Sequence, residues 1–357
     1  MKSKELSYRE IIFRGKTLRK IFFLLTLPAF ILLSAGCSST ERVQSRKDQE
    51  NLKLLEQNVE SADSFFIEGK EAFIKNEYGS ALEAFQKSSY SQALFYIGLT
   101  LSELGKKEDA KEVFMDCAAK NILPAESYYN LSMIAYDLGD INLSKEFVMK
   151  SISSKNDHTG ALFFAGNLFY VESNMAEALN YYNKAISTDP SSVDLWEAVF
   201  SVYLQTEEFE KGWAIRDKID RNNTGTVLNV LKVAEITGNF KEGADFPKKE
   251  LLEDSAVNQQ VRILLTRAGE IKKAADMAQK EMEKNKKPYL IIDRMTGDNG
   301  SYVIVLKESS VFLVCSAKSE IFIPVEISSG IVKIDGRNSV KSHDVSKEAV
   351  SVCSEQK

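Results

Sequence analysis

Between residues 62 and 286 apolar residues recur in helix-length blocks, and the blocks themselves repeat. Copies beginning at Ser91, Ala125 and Thr159 start 34 residues apart both times. Each has a large residue at its fourth position (Leu94, Tyr128, Leu162) and a small one at its eighth (Gly98, Ser132, Gly166). Another small residue stands at the twentieth (Ala110, Ser144, Ala178). This pattern predicts pairs of helices that cross at the small residues, where a larger Cβ would hold them apart. Gly105 and Gly139 fall between the two helices of their copies, and Asn76 takes that place in a copy starting at Ala62. Gly and Asn tolerate the left-handed conformation that ends a helix.

The array extends in both directions. Residues 62–88 form a first copy, with Phe65, Gly69, Ala81 and Phe85, and the next follows after only 29 residues. A fifth copy from Val193 places Phe200 and Gly212 at the small positions. A sixth near Thr224 keeps Gly238 and Gly243, but Pro247 is expected to kink or restart its second helix. A seventh from Ser255 contains Gly269, Ala274 and Ala278. Four copies, residues 62–192, are regular and three are degraded.

The pattern W-x2-L-G-x2-Y, then A-x3-F, then P, is that of the tetratricopeptide repeat. Ala81 with Phe85, Ala178 with Tyr182, and Pro190 match it, so this chain resembles a tetratricopeptide array. The resemblance implies a mostly α superhelix, a solenoid of stacked hairpins whose first helices line a concave groove. It places the groove at the second, fifth, ninth, twelfth and thirteenth positions of each copy. Those positions include Phe66, Phe73, Phe95, Leu99, Tyr129, Tyr136, Phe163, Asn167 and Tyr170. Aromatic anchors of this kind suit an apolar helix or extended peptide. The same rings could instead pack against adjacent copies, or hold the chain's own residues Leu52 and Leu55. Asn167 stands alone, without the basic and Asn cluster that grips a peptide carboxylate in some such domains.

The two ends read differently. Lys16, Arg19 and Lys20 close a basic segment, an apolar run follows from Ile21 to Leu33, and Ser34-Ala35-Gly36-Cys37 ends it. This is a secretory signal, too short for a bilayer span. LLSAGCSS resembles the bacterial lipobox, with Ser34 where a strict one has Leu. The resemblance implies cleavage after residue 36 and a diacylglycerol thioether with an acylated amine on Cys37. Two or three chains anchor a protein durably. Residues 37–61 then form a tether. Through the sorting rule of such lipoproteins, the resemblance also implies an outer-membrane location facing the periplasm, since Ser38 and Ser39 follow Cys37 without an Asp.

After Lys287-Pro288 short β-branched runs separated by turn residues predict a small antiparallel sheet of four or five strands over 288–340. Pro324 is expected to put its strand at an edge or bulge, and the sheet to pack on the last copy or on another protein. Residues 341–357 are a polar tail. Cys315 and Cys353 are either a disulfide of an exported protein or two unrelated thiols. Cys117 is read as packing.

Charge and chemistry narrow the function. The chain has 357 residues, with 46 Lys+Arg and 51 Asp+Glu. Without residues 1–36 the balance is 39 to 49, net −10, which does not suit a nucleic acid. There are only two histidines, His158 and His343. No phosphate-binding loop, dinucleotide fingerprint, zinc-protease motif or Cys-x-x-Cys is found. No catalytic residue, metal or cofactor is therefore expected. The expected function is a lipid-anchored envelope scaffold that holds another envelope protein or peptide in its groove, in assembly or regulation of an envelope complex. The alternative is an accessory of a periplasmic transport system that captures an apolar small molecule or its binding protein. An enzyme would have to hide its site in the C-terminal sheet.

Overall fold

The computed structural model describes residues 63–285, and then 289–297, 300–307, 310–315, 322–328, 331–334 and 338–341. The expected signal, Cys37 with its expected anchor, Leu52, Leu55, His343 and Cys353, and with it the Cys315–Cys353 pairing, lie outside the described residues. The chain divides between Thr206 and Glu207 into two compact units. The division falls inside the fifth copy, where Phe200 occupies the eighth position that Gly or Ser takes in the copies before it.

The first unit holds nine helices among its described residues: α1 Ser64–Ile74, α2 Tyr78–Lys87, α3 Ala93–Glu103, α4 Lys107–Ala119, α5 Pro124–Asp137, α6 Ile141–Ser154, α7 Thr159–Val171, α8 Met175–Thr188 and α9 Val193–Gln205. Their starts are set by side chains that accept orphan backbone N–H groups. Asp63 caps α1 through Phe66 N at 2.8 Å, Asp140 caps α6 through Leu143 N at 3.0 Å, and Asn174 caps α8 through Glu177 N at 3.3 Å. Consecutive helices pack, first within each pair and then from the second helix of one pair to the first of the next. The result is a tetratricopeptide-like solenoid of hairpins.

Each first helix ends at the fifteenth position of its copy in a left-handed residue. Asn76, Gly105, Gly139 and Ser173 have φ of 60°, 74°, 84° and 60°. In the second unit Glu207, Gly238 and Gly269 continue the series at 58°, 76° and 83°. Glycine is therefore not required at the turn; the turn is imposed by the hairpin, and Ser173 and Glu207 adopt it against their own preference.

The crossing of each pair explains the small eighth position. A Cβ added to Gly69, Gly98 or Gly166 would stand 2.6 Å, 2.7 Å and 2.4 Å from the rings of Phe85, Phe114 and Tyr182. Those rings are the twenty-fourth residues of the same copies. The third copy has Ser132 instead of Gly, and the smaller Val148 at its twenty-fourth position; both are buried. Ser144 Oγ, at the twentieth position, donates to the Ser132 carbonyl at 2.8 Å. The two positions thus trade volume, as close packing demands.

The second unit contains α10 Phe209–Ala214, α11 Thr224–Thr237, α12 Phe240–Ala244, α13 Ser255–Arg267 and α14 Ile271–Asn285, with single 3-10 turns at Arg216–Lys218 and Lys249–Glu253. The helix α12 stops three residues before Pro247, and the chain resumes as a 3-10 turn, so the proline separates two short pieces. Gly243, at the twentieth position, lies where a Cβ would meet Ala234 Cβ at 2.4 Å.

Among its described residues this unit also holds six strands: β1 Tyr289–Gly297, β2 Gly300–Lys307, β3 Ser310–Cys315, β4 Phe322–Ser328, β5 Ile331–Ile334 and β6 Asn338–Lys341. They form an antiparallel meander in chain order, with a register shift between Ile291 and Asp293 in β1. Ile292, Ile304, Val311, Leu313 and Val325 are buried, and β1 lies against α13 and α14. Pro324 is in β4, an interior strand rather than an edge one. There β4 pairs only with Phe312 of β3, because β5 pairs from Val325 onward, and a residue without an N–H is tolerated where a neighbour strand is missing.

Candidate functional site

The residues expected to line the groove fall into two groups. Phe66, Phe95, Leu99, Tyr129, Phe163 and Asn167 are buried, whereas Phe73, Tyr136 and Tyr170 are half-buried. The fifth-position rings are held by other rings. Phe66 lies 5.6 Å from Phe85, 4.7 Å from Tyr90 and 5.1 Å from Tyr96, centroid to centroid. Phe95 meets Phe114 at 5.5 Å, Tyr129 meets Phe164 at 6.3 Å, and Phe163 meets Tyr182 at 5.8 Å. These tilted and edge-on contacts are those of packed aromatic cores. The fifth position therefore supplies packing between helices. The twelfth position, Phe73, Tyr136 and Tyr170, keeps part of its ring surface accessible.

Asn167 stands one turn before Tyr170 on α7, so the two share a face. Its Oδ1 accepts from Tyr182 Oη at 2.7 Å. Its Nδ2 is buried and has no hydrogen-bond partner among the described residues. A buried donor left unmet is costly, and such donors are uncommon in folded proteins.

Other candidate groups have structural roles. His158 is not a free loop residue: its Nδ1 accepts from Ala161 N at 3.1 Å and caps α7, with the ring 5.1 Å from Tyr129. Cys117 is buried, and burial pushes its thiol up to about 12, away from nucleophilic use. Among the described residues no group of His, Cys, Asp and Glu could hold a metal ion, and no helix is long and apolar enough to cross a membrane.

The charged core of the seventh copy was not legible in the repeat pattern. Arg262 sits at the eighth position and is 2% exposed; Glu281 on α14 is 8% exposed. The guanidinium donates to the Glu281 carboxylate and to Asn258 Oδ1 at 2.6 Å, and Ser255 Oγ donates to Glu281 Oε1 at 2.9 Å. The twenty-fourth residue of this copy is Ala278, so the large and small partners of the crossing are exchanged. Nearby, Glu235 of α11 pairs with Lys232 and with Arg267 of α13 at 2.7 Å and 2.8 Å, and accepts from Gln260 at 2.7 Å. Burial pushes the Glu235 carboxyl up, but Lys232 and Arg267 outweigh it and its net shift is downward.

With this geometry in place, residues 91–119 and 125–158 match the tetratricopeptide repeat family. The chain carries tetratricopeptide repeats. Human protein O-mannosyl-transferase TMTC2 is 31% identical over 108 residues, 29% of this chain and 13% of that protein, so the match spans a small part of its length. Among solved structures, YrrB, described as a TPR protein with an unusual peptide-binding site, is 16% identical with a TM-score of 0.42, covering 50% of this chain and 94% of its own. A tetratricopeptide repeat protein from Parabacteroides merdae is 14% identical with a TM-score of 0.42, covering 62% and 91%. MamA is 16% identical with a TM-score of 0.38, covering 50% and 93%.

Proposed function

We propose that this chain is a non-catalytic scaffold of the bacterial envelope, anchored by acyl chains on Cys37 and facing the periplasm from the outer membrane. Its tetratricopeptide hairpins bind another envelope protein along the accessible twelfth-position rings Phe73, Tyr136 and Tyr170, and so serve assembly or regulation of an envelope complex. The observation that carries the binding surface is the twelfth position: Phe73, Tyr136 and Tyr170 stay half-buried while the fifth-position rings are buried. Half-buried rings of this kind offer a bound segment apolar area at low entropic cost. The lipobox-like run ending at Cys37 supports the anchor.

Crosslinking in the native bacterium, followed by identification of the attached protein, tests the binding. Phe73→Ala/Tyr136→Ala/Tyr170→Ala is expected to abolish the crosslink while helicity is kept; an unchanged crosslink refutes the surface. Mass spectrometry of the exported chain is expected to show acyl chains on Cys37, and an unacylated Cys37 refutes the anchor.

A further inference from the structure

The exposed rim beside the rings is patterned. At the thirteenth position of the first four copies stand Ile74, Glu103, Asp137 and Val171. All four are exposed; Ile74 is 51% and Val171 59% exposed. Exposed aliphatic residues beside half-buried rings make the two ends of this line apolar, through Phe73 with Ile74 and Tyr170 with Val171. The two middle copies present carboxylates. Equivalent positions in stacked hairpins fall along one line, so the order is apolar, acidic, acidic, apolar.

The surrounding charge has the same sign. Residues 63–206 contain 20 Asp and Glu against 11 Lys and no Arg. Both carboxylates are already engaged, Glu103 as well as Asp137, which Lys107 meets at 2.8 Å with both side chains more than 40% exposed. An exposed pair of this kind contributes little and can be re-paired.

We infer that this surface takes a basic segment of the partner, with one or two Arg or Lys residues between two apolar clusters. This rests on the groove reading and adds the partner's chemistry. The cations would meet Glu103 and Asp137, and the apolar clusters would cover Phe73 with Ile74 and Tyr170 with Val171. Charge complementarity of this sort sets which partner is accepted and how fast it arrives.

The test uses the full chain and two fluorescent helical peptides. One has Leu and Phe near both ends and two Arg between them; its twin has citrulline in place of Arg. The Arg peptide is expected to bind at least about tenfold tighter. Glu103→Gln with Asp137→Asn should erase that difference and leave the citrulline peptide unaffected. Both residues are exposed, so the variant keeps its fold. Lys107→Ala, which frees Asp137, should tighten the Arg peptide alone. Equal affinities for the two peptides, an Arg preference that survives the double substitution, or no binding of either peptide overturns the inference. Binding of both peptides unchanged by Phe73→Ala/Tyr136→Ala/Tyr170→Ala overturns the groove reading itself.

Discussion

Gly98 and Phe114 occupy the same space at the crossing of α3 and α4: a Cβ on the glycine would lie 2.7 Å from Phe114 Cε1. The ring is fully buried and also touches Phe95, so it has no direction in which to retreat. Gly98→Ala is therefore expected to destabilise the chain by about 1–3 kcal/mol, despite the better helix propensity of Ala. Phe114→Val alone opens a cavity. The two together should cost less than their sum, by roughly 0.5–3 kcal/mol, because Val leaves room for the methyl, as Val148 does for Ser132. A double-mutant cycle by chemical denaturation measures this. Strict additivity would show that the crossing does not depend on the pair.

The relation between Gly98 and Phe114 was legible in the sequence because it recurs: Gly69 with Phe85 and Gly166 with Tyr182 hold the same offsets. Positions that carry backbone constraints were legible for the same reason, at Asn76, Gly105 and Gly139. What lies beyond is set by tertiary context. Repeat position alone does not distinguish a ring facing a neighbour helix, as at Phe95 and Phe163, from one facing a ligand. Arg262 broke the small-residue rule silently; only the arrival of Glu281 from α14 makes a buried guanidinium tolerable there. The capping bond of His158 depends on a backbone angle that no spacing reveals. The half-buried twelfth position, which sets the candidate site, depends on how far each ring is covered, and that is a property of the packing.

Ser173 provides a test of the turn between paired helices. It adopts φ of 60° at the place where Gly105 and Gly139 stand in the preceding copies. A left-handed conformation costs a non-glycine residue about 1–2 kcal/mol, partly offset by the greater unfolded-state entropy of glycine. Ser173→Gly is thus expected to stabilise the first unit by about 0.5–1 kcal/mol, read as a higher denaturation midpoint. Gly139→Ala, at φ of 84°, should move it the opposite way. If both substitutions shift the midpoint in the same direction, the turn is not under the constraint described.

The buried pair of Arg262 and Glu281 separates two kinds of contribution. Removing one partner leaves a charge in the core, and Arg262→Ala or Glu281→Ala is expected to cost about 3–5 kcal/mol. Replacing both, as Arg262→Met with Glu281→Leu, should recover most of that loss, because the desolvation penalty disappears with the charges. Thermal unfolding of the three variants decides it. A double variant as unstable as either single one would mean that the ion pair itself, and not the absence of a stranded charge, holds the seventh hairpin.

Asp63 makes the start of the array sensitive to acid. Its carboxylate accepts from Phe66 N at 2.8 Å, and from Ser89 N and Oγ at 2.6 Å and 2.8 Å, tying α1 to the segment after α2. The bond from Phe66 N, with those from Ser89, holds its pKa down to about 2 from the ordinary 3.8. A group whose folded pKa lies below its unfolded one stabilises the fold above the unfolded value, and the gain is lost as pH falls through the folded one. The contribution of Asp63 is therefore complete above about pH 5 and disappears between there and pH 2. Asp63→Asn keeps a capping oxygen but cannot ionise. Its unfolding midpoint should lie below that of the parent at pH 6, and the gap should close as the pH approaches 2. A gap that stays constant across this range would assign the effect of Asp63 to shape rather than charge.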